Sequence, residues 1–302
     1  MYDIVIVGGG PAGLTSAIYA LRAGKSVLVI EKNGFGGQIA FSPKVENIPG
    51  TRTISGAEFA DKLTDHAMDL GAEVELEKVI GVEKEGDIFT VHTEEGSAYQ
   101  AKAVILAVGV KHRTLGLSGE EALIGNGISF CAVCDGAFYT GQDVAMIGGG
   151  NSALQEALLL AEVCRQVTIV QNLAFLTGEK KLADALAEKE NVKILYSTVV
   201  SRYITENGEL KGLQLRNEET GAETEIAVDG TFLAVGLMPE NDAFAHLAKL
   251  NDWGYFDSAE DCTTQTPGLF VAGDCRSKTI RQVVTASGDG AIAAMAACRY
   301  LD

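Results

Sequence analysis

The sequence predicts an α/β protein built from two Rossmann-like three-layer domains, the second inserted into the first. Three observations carry that expectation: a strand-glycine-helix unit at the start of the chain, a second copy near its middle, and a related apolar strand after each copy.

Asp3-Ile4-Val5-Ile6-Val7 is a short, continuous apolar run of the kind a buried parallel strand shows. Gly8-x-Gly10-x-x-Gly13, with Pro11 and Ala12 inside it, supplies a tight turn, and residues 14–23 have helical apolar spacing until Gly24 stops them. The next strand, Ser26-Val27-Leu28-Val29-Ile30, ends at Glu31, eighteen residues past Gly13. A carboxylate there takes a ribose hydroxyl while the helix N-terminus holds pyrophosphate, so this unit reads as a dinucleotide site. Glu73-Val74-Glu75-Leu76, residues 79–84 and residues 88–92 read as a short β meander, before the closing strand Ala103-Val104-Ile105-Leu106-Ala107-Val108-Gly109.

The second copy runs Asp143-Val144-Ala145-Met146-Ile147, Gly148-x-Gly150-x-x-Ala153, a helix to about Cys164, and the strand Gln166-Val167-Thr168-Ile169-Val170. At the position of Glu31 stands Gln171, followed by Asn172 and Leu173, with neither a carboxylate nor an arginine. This copy is therefore either a nicotinamide site of unusual contacts or a scaffold without ligand. Thr231-Phe232-Leu233-Ala234-Val235-Gly236 closes it, and turn-forming residues follow both closing strands, in 111–119 and at Leu237-Met238-Pro239. The expected domains are thus 1–112 with 240–302, and the inserted 113–239.

A net charge of −17 repels phosphate backbones and anionic lipid, so neither nucleic acid nor a membrane surface is expected as partner. No apolar run reaches spanning length and no basic-then-apolar leader follows Met1, which predicts a soluble, cytoplasmic protein. Of six cysteines only Cys131 and Cys134 are close, and no second pair or histidine cluster completes a metal site, so no metal is expected. In Cys131-Ala132-Val133-Cys134-Asp135 the two thiols can close a readily reduced disulfide, and Asp135 can move the proton each exchange step needs. The remaining cysteines read as ordinary core residues. Lys111, His112, Arg113, Arg276, Lys278 and Arg281 form a candidate basic docking patch.

Together with the first glycine turn, Gly36-Gly37-Gln38, Val45-Glu46-Asn47-Ile48-Pro49-Gly50, the dithiol segment, Pro267-Gly268-Leu269-Phe270-Val271-Ala272-Gly273-Asp274 and Arg281-Gln282 appear in order. Over nearly its whole length the chain resembles the low-molecular-weight thioredoxin reductases. The resemblance implies two domains of the FAD/NAD(P)-binding type and a homodimer. It implies FAD on Gly8, Gly10, Pro11, Ala12, Gly13, Glu31, Lys32, Gly37, Gln38, Asn47, Gly109, Gly273, Asp274, Arg281 and Gln282, with Asp274 on the ribitol and Gln282 near the isoalloxazine. Cys134 would be the flavin-facing sulfur, Cys131 the one that exchanges with thioredoxin, and Asp135 the general acid and base.

NADPH-using members carry a His-Arg-Arg cluster after the second strand and another arginine further on, which clamp the 2′-phosphate; here those places hold Gln171-Asn172-Leu173 and Thr177. That departure makes NAD(P)H a doubtful donor and resembles the ferredoxin-dependent flavin thioredoxin reductases, which keep FAD and dithiol. Two other functions fit the same residues, an NAD(P)H-dependent thioredoxin reductase and a non-catalytic FAD-binding redox sensor.

Overall fold

The structure, a computed structural model, describes residues 1–41, 45 and 47–302, with Phe41 and Cys134 described by backbone alone. The chain forms two compact units, one of residues 1–111 and 238–302, the other of residues 112–237.

The first unit begins with β1 (Tyr2–Val7), α1 (Pro11–Arg22), β2 (Val27–Glu31), α2 (Gly56–Asp69), β3 (Glu73–Leu76), β4 (Val79–Glu85), β5 (Ile88–Thr93) and β6 (Ala98–Leu106). These strands form one sheet in the order β3-β2-β1-β6-β5-β4. Residues 73–76 do not open a meander as expected from sequence: β3 lies parallel to β2, and the meander is β4-β5-β6. Its alternating charges suit an edge position, where one face stays wet. The crossing strand β7 (Val110–His112) then leads away.

The second unit contains α3 (Glu120–Leu123), β8 (Ile128–Ser129), the single turn α4 (Ala132–Asp135), β9 (Asp143–Ile147), α5 (Asn151–Val163), β10 (Gln166–Val170), α6 (Lys180–Ala187) and β11 (Val192–Leu195). The hairpin strands β12 (Thr198–Glu206), β13 (Glu209–Asn217) and β14 (Glu223–Ala227) follow, and β15 (Gly230–Leu233) closes the unit. Its main sheet, β11-β10-β9-β15-β8, is parallel throughout, and β12-β13-β14 form an antiparallel sheet. Parallel strands buried on both faces read as largely apolar runs, and β9, β10 and β15 do, with Thr168 and Thr231 as buried polar exceptions.

The chain returns through β16 (Leu237–Pro239), which pairs with β7, then β17 (Leu269–Val271) and α7 (Val283–Leu301). β6 is shared: residues 98–101 pair antiparallel with β5, and residues 104–106 pair parallel with β17. The two chain ends of the first unit are thereby one sheet. α7 lies tightly on α1 because Gly290 has no side chain; a Cβ there would come 2.2 Å from the Ala12 carbonyl oxygen. Ser16 Oγ sits between the two helices, 2.9 Å from the Ala12 carbonyl and 3.0 Å from that of Gly290. At the far end of α7, Asp302 pairs with Lys25, and the neighbouring Ser26 is bonded through N–H and hydroxyl to Asp3. Among the described residues no helix is long and apolar enough to cross a membrane.

Candidate functional site

In the first unit the turn between β1 and α1 is built by two close approaches. Gly8, at φ 110°, sits where a Cβ would be 2.3 Å from the Ala107 carbonyl oxygen, and a Cβ on Gly13 would be 1.8 Å from the Gly8 carbonyl oxygen. Gly10, the N-cap of α1, is different: the nearest atom to its missing Cβ is 3.8 Å away, and no side chain caps the helix. Uncapped backbone N–H groups at a helix N-terminus make an anion cradle, and Pro11 at the first helical position leaves it open. Gly37, which opens the 3-10 turn Gly37–Phe41, closes the other side, since a Cβ on it would lie 3.1 Å from Gly10 Cα.

Glu31 ends β2 and accepts the Gly9 N–H at 2.7 Å and the Asn33 N–H at 3.0 Å, so its carboxylate is fixed beside the glycine turn. Lys32 turns away from it into an ion pair with Glu240, which Lys111 also grips; the two ammonium groups hold that carboxyl down at about 2. Gln38 donates to the Val110 carbonyl at 2.6 Å, and Gly109 lies in the left-handed region at φ 66°.

The C-terminal segment supplies the rest. Gly273, at φ 80°, sits where a Cβ would come 2.8 Å from Ala12 Cβ, so the turn after β17 touches the start of α1. Its N–H donates to Asp289 Oδ2 at 3.0 Å. Arg281 donates to the Asp274 carbonyl and stacks over Tyr255, 4.2 Å from the ring centre. Gln282 caps α7 and also accepts from Asn47 Nδ2 at 2.9 Å, joining two residues 235 positions apart. Asp274 stands out: burial lifts its carboxyl above the ordinary value against the pull of Lys278 and Arg281, and Oδ1 is buried without a hydrogen-bond partner among the described residues. A buried acceptor left unpaired costs about 1–3 kcal/mol, and a ligand hydroxyl would satisfy it.

These residues fit an FAD. The open Gly10 cradle suits its pyrophosphate, Glu31 its adenosine ribose and the orphan oxygen of Asp274 its ribitol. Asp274→Ala should accordingly weaken flavin retention by about 10- to 100-fold, the worth of one charged hydrogen bond. Flavin released on dialysis measures it, and an unchanged flavin content would overturn the role.

In the second unit the dithiol segment forms α4 and the 3-10 turn Gly136–Tyr139. Cys131 is disulfide-bonded, while Cys164, Cys262, Cys275 and Cys298 are buried free thiols. The side chain of Cys134 lies outside the described residues. Ser129, at the end of β8, organises the turn: its hydroxyl donates to Asp135 Oδ2 at 2.5 Å and accepts the Cys131 N–H at 3.0 Å. Glu156 on α5 accepts the N–H of Ala132 at 3.1 Å, and burial raises its carboxyl to about 7.

The second glycine turn repeats the scaffold with different residues around it. Gly148, at φ 128°, repeats the approach of Gly8, with a Cβ 2.5 Å from the Ala234 carbonyl oxygen. Gln171 directly follows β10, 3% exposed, with its carboxamide against Gly149 and its Nε2 donating to the Phe175 carbonyl at 2.9 Å. Where Glu31 accepts the Gly9 N–H of the first turn, Gln171 donates to its own loop. Thr177 is bonded through N–H and hydroxyl to the Gly149 carbonyl. Asn151, the first residue of α5, holds Glu179 by two hydrogen bonds, which sets a carboxylate at the helix end that would otherwise face phosphate.

Four cations of the expected basic patch already have partners within the first unit. Arg276 and Lys278 are 10% and 16% exposed and share Asp289, Lys111 is held by Glu240, and Arg281 lies on Tyr255. Sequence reasoning missed three residues, Ser129, Glu156 and Asp289. The available signals were a carboxylate inside an apolar helix for Glu156, and another between two glycines for Asp289.

The sequence matches the family model described as pyridine nucleotide-disulphide oxidoreductase over residues 2–290. It is 41% identical over 299 residues to a Clostridium pasteurianum protein described as a 34.2 kDa protein in the rubredoxin operon, covering 99% of this chain and 97% of that one. It is 38% identical to the thioredoxin reductase of Bacillus subtilis, covering 100% and 95%. The crystal structure of Lactococcus lactis thioredoxin reductase in its FR conformation superposes with a TM-score of 0.89 at 36% identity, over 100% of this chain and 99% of that one. With two glycine turns, a dithiol segment between them and likeness along its whole length, the chain belongs to the pyridine nucleotide-disulphide oxidoreductases, among the low-molecular-weight thioredoxin reductases.

Proposed function

We propose that this chain is a flavin-dependent thioredoxin-disulfide reductase whose electrons come from reduced ferredoxin and not from a nicotinamide nucleotide. In this reading the unit of residues 1–111 and 238–302 binds FAD, the unit of residues 112–237 carries the redox dithiol, and the enzyme is a cytoplasmic homodimer. Reduction of thioredoxin is supported by relatives that bear that name across the full length of the chain.

The choice of donor is carried by Gln171, the counterpart of Glu31. It is buried, committed to the Phe175 carbonyl, and has no cation at Asn172, Leu173 or Thr177 to replace it. A 2′-phosphate would forgo paired arginines, each charged hydrogen bond worth about 1.5–3 kcal/mol, and a free 2′-hydroxyl would find no carboxylate. Glu179 adds a like charge at the phosphate end. FAD, when bound, can accept electrons one at a time and return them as a pair, which a nicotinamide cannot do.

The chain's own residues then divide the work. Amides of the Gly10–Gly13 turn and the start of α1 hold the pyrophosphate, Glu31 the ribose, and Asp274 the ribitol. Cys134 receives the electron pair, and the disulfide opens to two thiols with uptake of two protons. Cys131, as thiolate, attacks the disulfide of thioredoxin; a mixed disulfide forms and the departing sulfur takes a proton. Cys134 then displaces thioredoxin's second sulfur and restores the enzyme disulfide. Asp135, fixed by Ser129, carries the protons.

Anaerobic stopped-flow absorbance of the flavin decides the donor. Neither NADPH nor NADH should bleach the flavin at a rate that supports turnover, whereas a reduced low-potential ferredoxin should do so and thioredoxin should then reoxidise it. Fast, saturable bleaching by either nucleotide would overturn the reading.

A further inference from the structure

Glu156 is a carboxyl whose place is explained neither by folding nor by the steps above. It projects from the second turn of α5, a helix otherwise apolar on its buried side, and its only described polar contact is with the backbone of the dithiol turn. That contact is specific: Oε2 accepts the N–H of Ala132, the amide next after Cys131, at 3.1 Å. An amide at the start of a turn would otherwise be free to stabilise a thiolate on the residue before it. Here a carboxylate takes that amide and brings a charge of the same sign as the thiolate.

We propose that Glu156 is a positioning residue of the redox dithiol, fixing the first turn through the Ala132 amide and setting by its charge the thiolate fraction of Cys131. The inference rests on Cys131 being the exchanging sulfur. With Glu156 ionised, the Cys131 thiol holds its proton more tightly; with Glu156 protonated, the thiolate forms more readily. Since burial has moved the carboxyl to about 7, this control operates near neutral pH. The elements packed against α5 here carry Asp135 on α4, Tyr139 on the 3-10 turn, and Lys180, Lys181 and Asp184 on α6. None of their fields accounts for the shift of Glu156, whose causes are burial and, in opposition, the Ala132 amide.

The test needs no electron donor. The flavin-loaded enzyme is reduced with a small dithiol and alkylated with iodoacetamide from about pH 5.5 to 9, and modification at Cys131 is timed by mass spectrometry. The wild-type profile should bend near neutrality as Glu156 ionises, beyond the thiol's own titration. Glu156→Gln keeps an acceptor for Ala132 but no charge, so the bend should vanish and alkylation near pH 8 should rise by about 3- to 10-fold. Glu156→Asp, which keeps the charge, should retain a bend. Superimposable profiles for wild type and Glu156→Gln would overturn the inference, as would a wild-type profile with the thiol's titration alone. A Cys131 that cannot be alkylated after reduction in any variant would sink the exchanging role as well.

Discussion

Gly13→Ala should give a colourless protein and cost the first unit about 3 kcal/mol or more. The added methyl carbon would stand 1.8 Å from the Gly8 carbonyl oxygen and 3.3 Å from Ile6 Cγ2. A side chain can rotate away from such a contact, but Gly8 cannot. It sits at φ 110° with its own missing Cβ against Ala107, so the turn has no slack in either direction. Overpacking a close contact costs about 1–3 kcal/mol when neighbours can yield, and more when backbone must move. The displaced atoms are those proposed to cradle pyrophosphate, so flavin loss should accompany the drop in stability. The ratio of flavin to protein absorbance, with a denaturant titration, reads both. A yellow variant with wild-type stability would refute the geometry. The second glycine turn offers an internal comparison, because Ala153 already stands at the corresponding position.

Asp289→Ala should be as damaging, through charge and not through volume. Asp289 is 12% exposed and binds Arg276 Nη1 at 2.7 Å, Lys278 Nζ at 2.9 Å and the Gly273 N–H at 3.0 Å. Its removal takes the paired carboxylate from a guanidinium and an ammonium largely shielded from water, and frees the turn that carries Asp274. Breaking a buried pair from one side costs about 3–5 kcal/mol. Chemical unfolding should show that loss, and Asp289→Asn, which keeps an acceptor for Gly273, should lose less. A change below about 1 kcal/mol would mean that the network is solvated and contributes little.

What could be read from sequence follows a physical line. The glycine turns were legible because backbone conformation limits which residues fit, and the limit is local. Glu31 was legible because strand and helix lengths fix its distance from Gly13. Gln171 was legible as a missing charge, although its hydrogen bond to Phe175 and its burial were not. The strand at 73–76 was placed in the wrong neighbourhood, because alternating polarity marks an edge without saying which edge. Ser129, Glu156 and Asp289 escaped because each acts on a residue brought near by packing alone. Asn47 and Gln282 were each expected at the flavin, while their hydrogen bond to one another lies beyond any local pattern. The pairing of Lys111 with Glu240 and of Arg276 and Lys278 with Asp289 was hidden for the same reason, since a count of cations does not reveal which are already paired.

The chain ends of the first unit meet around two adjacent residues, Lys25 holding Asp302 and Ser26 holding Asp3. In genetic terms the order of the halves is therefore arbitrary. A short linker from Asp302 to Met1, with new ends opened between Lys111 and His112, would yield a circular permutant. In it residues 112–237 come first as one uninterrupted block, and residues 238–302 run directly into 1–111 as the other. Each block could then be made without its partner, and the affinity for flavin and the reactivity of the dithiol would become properties of separable pieces.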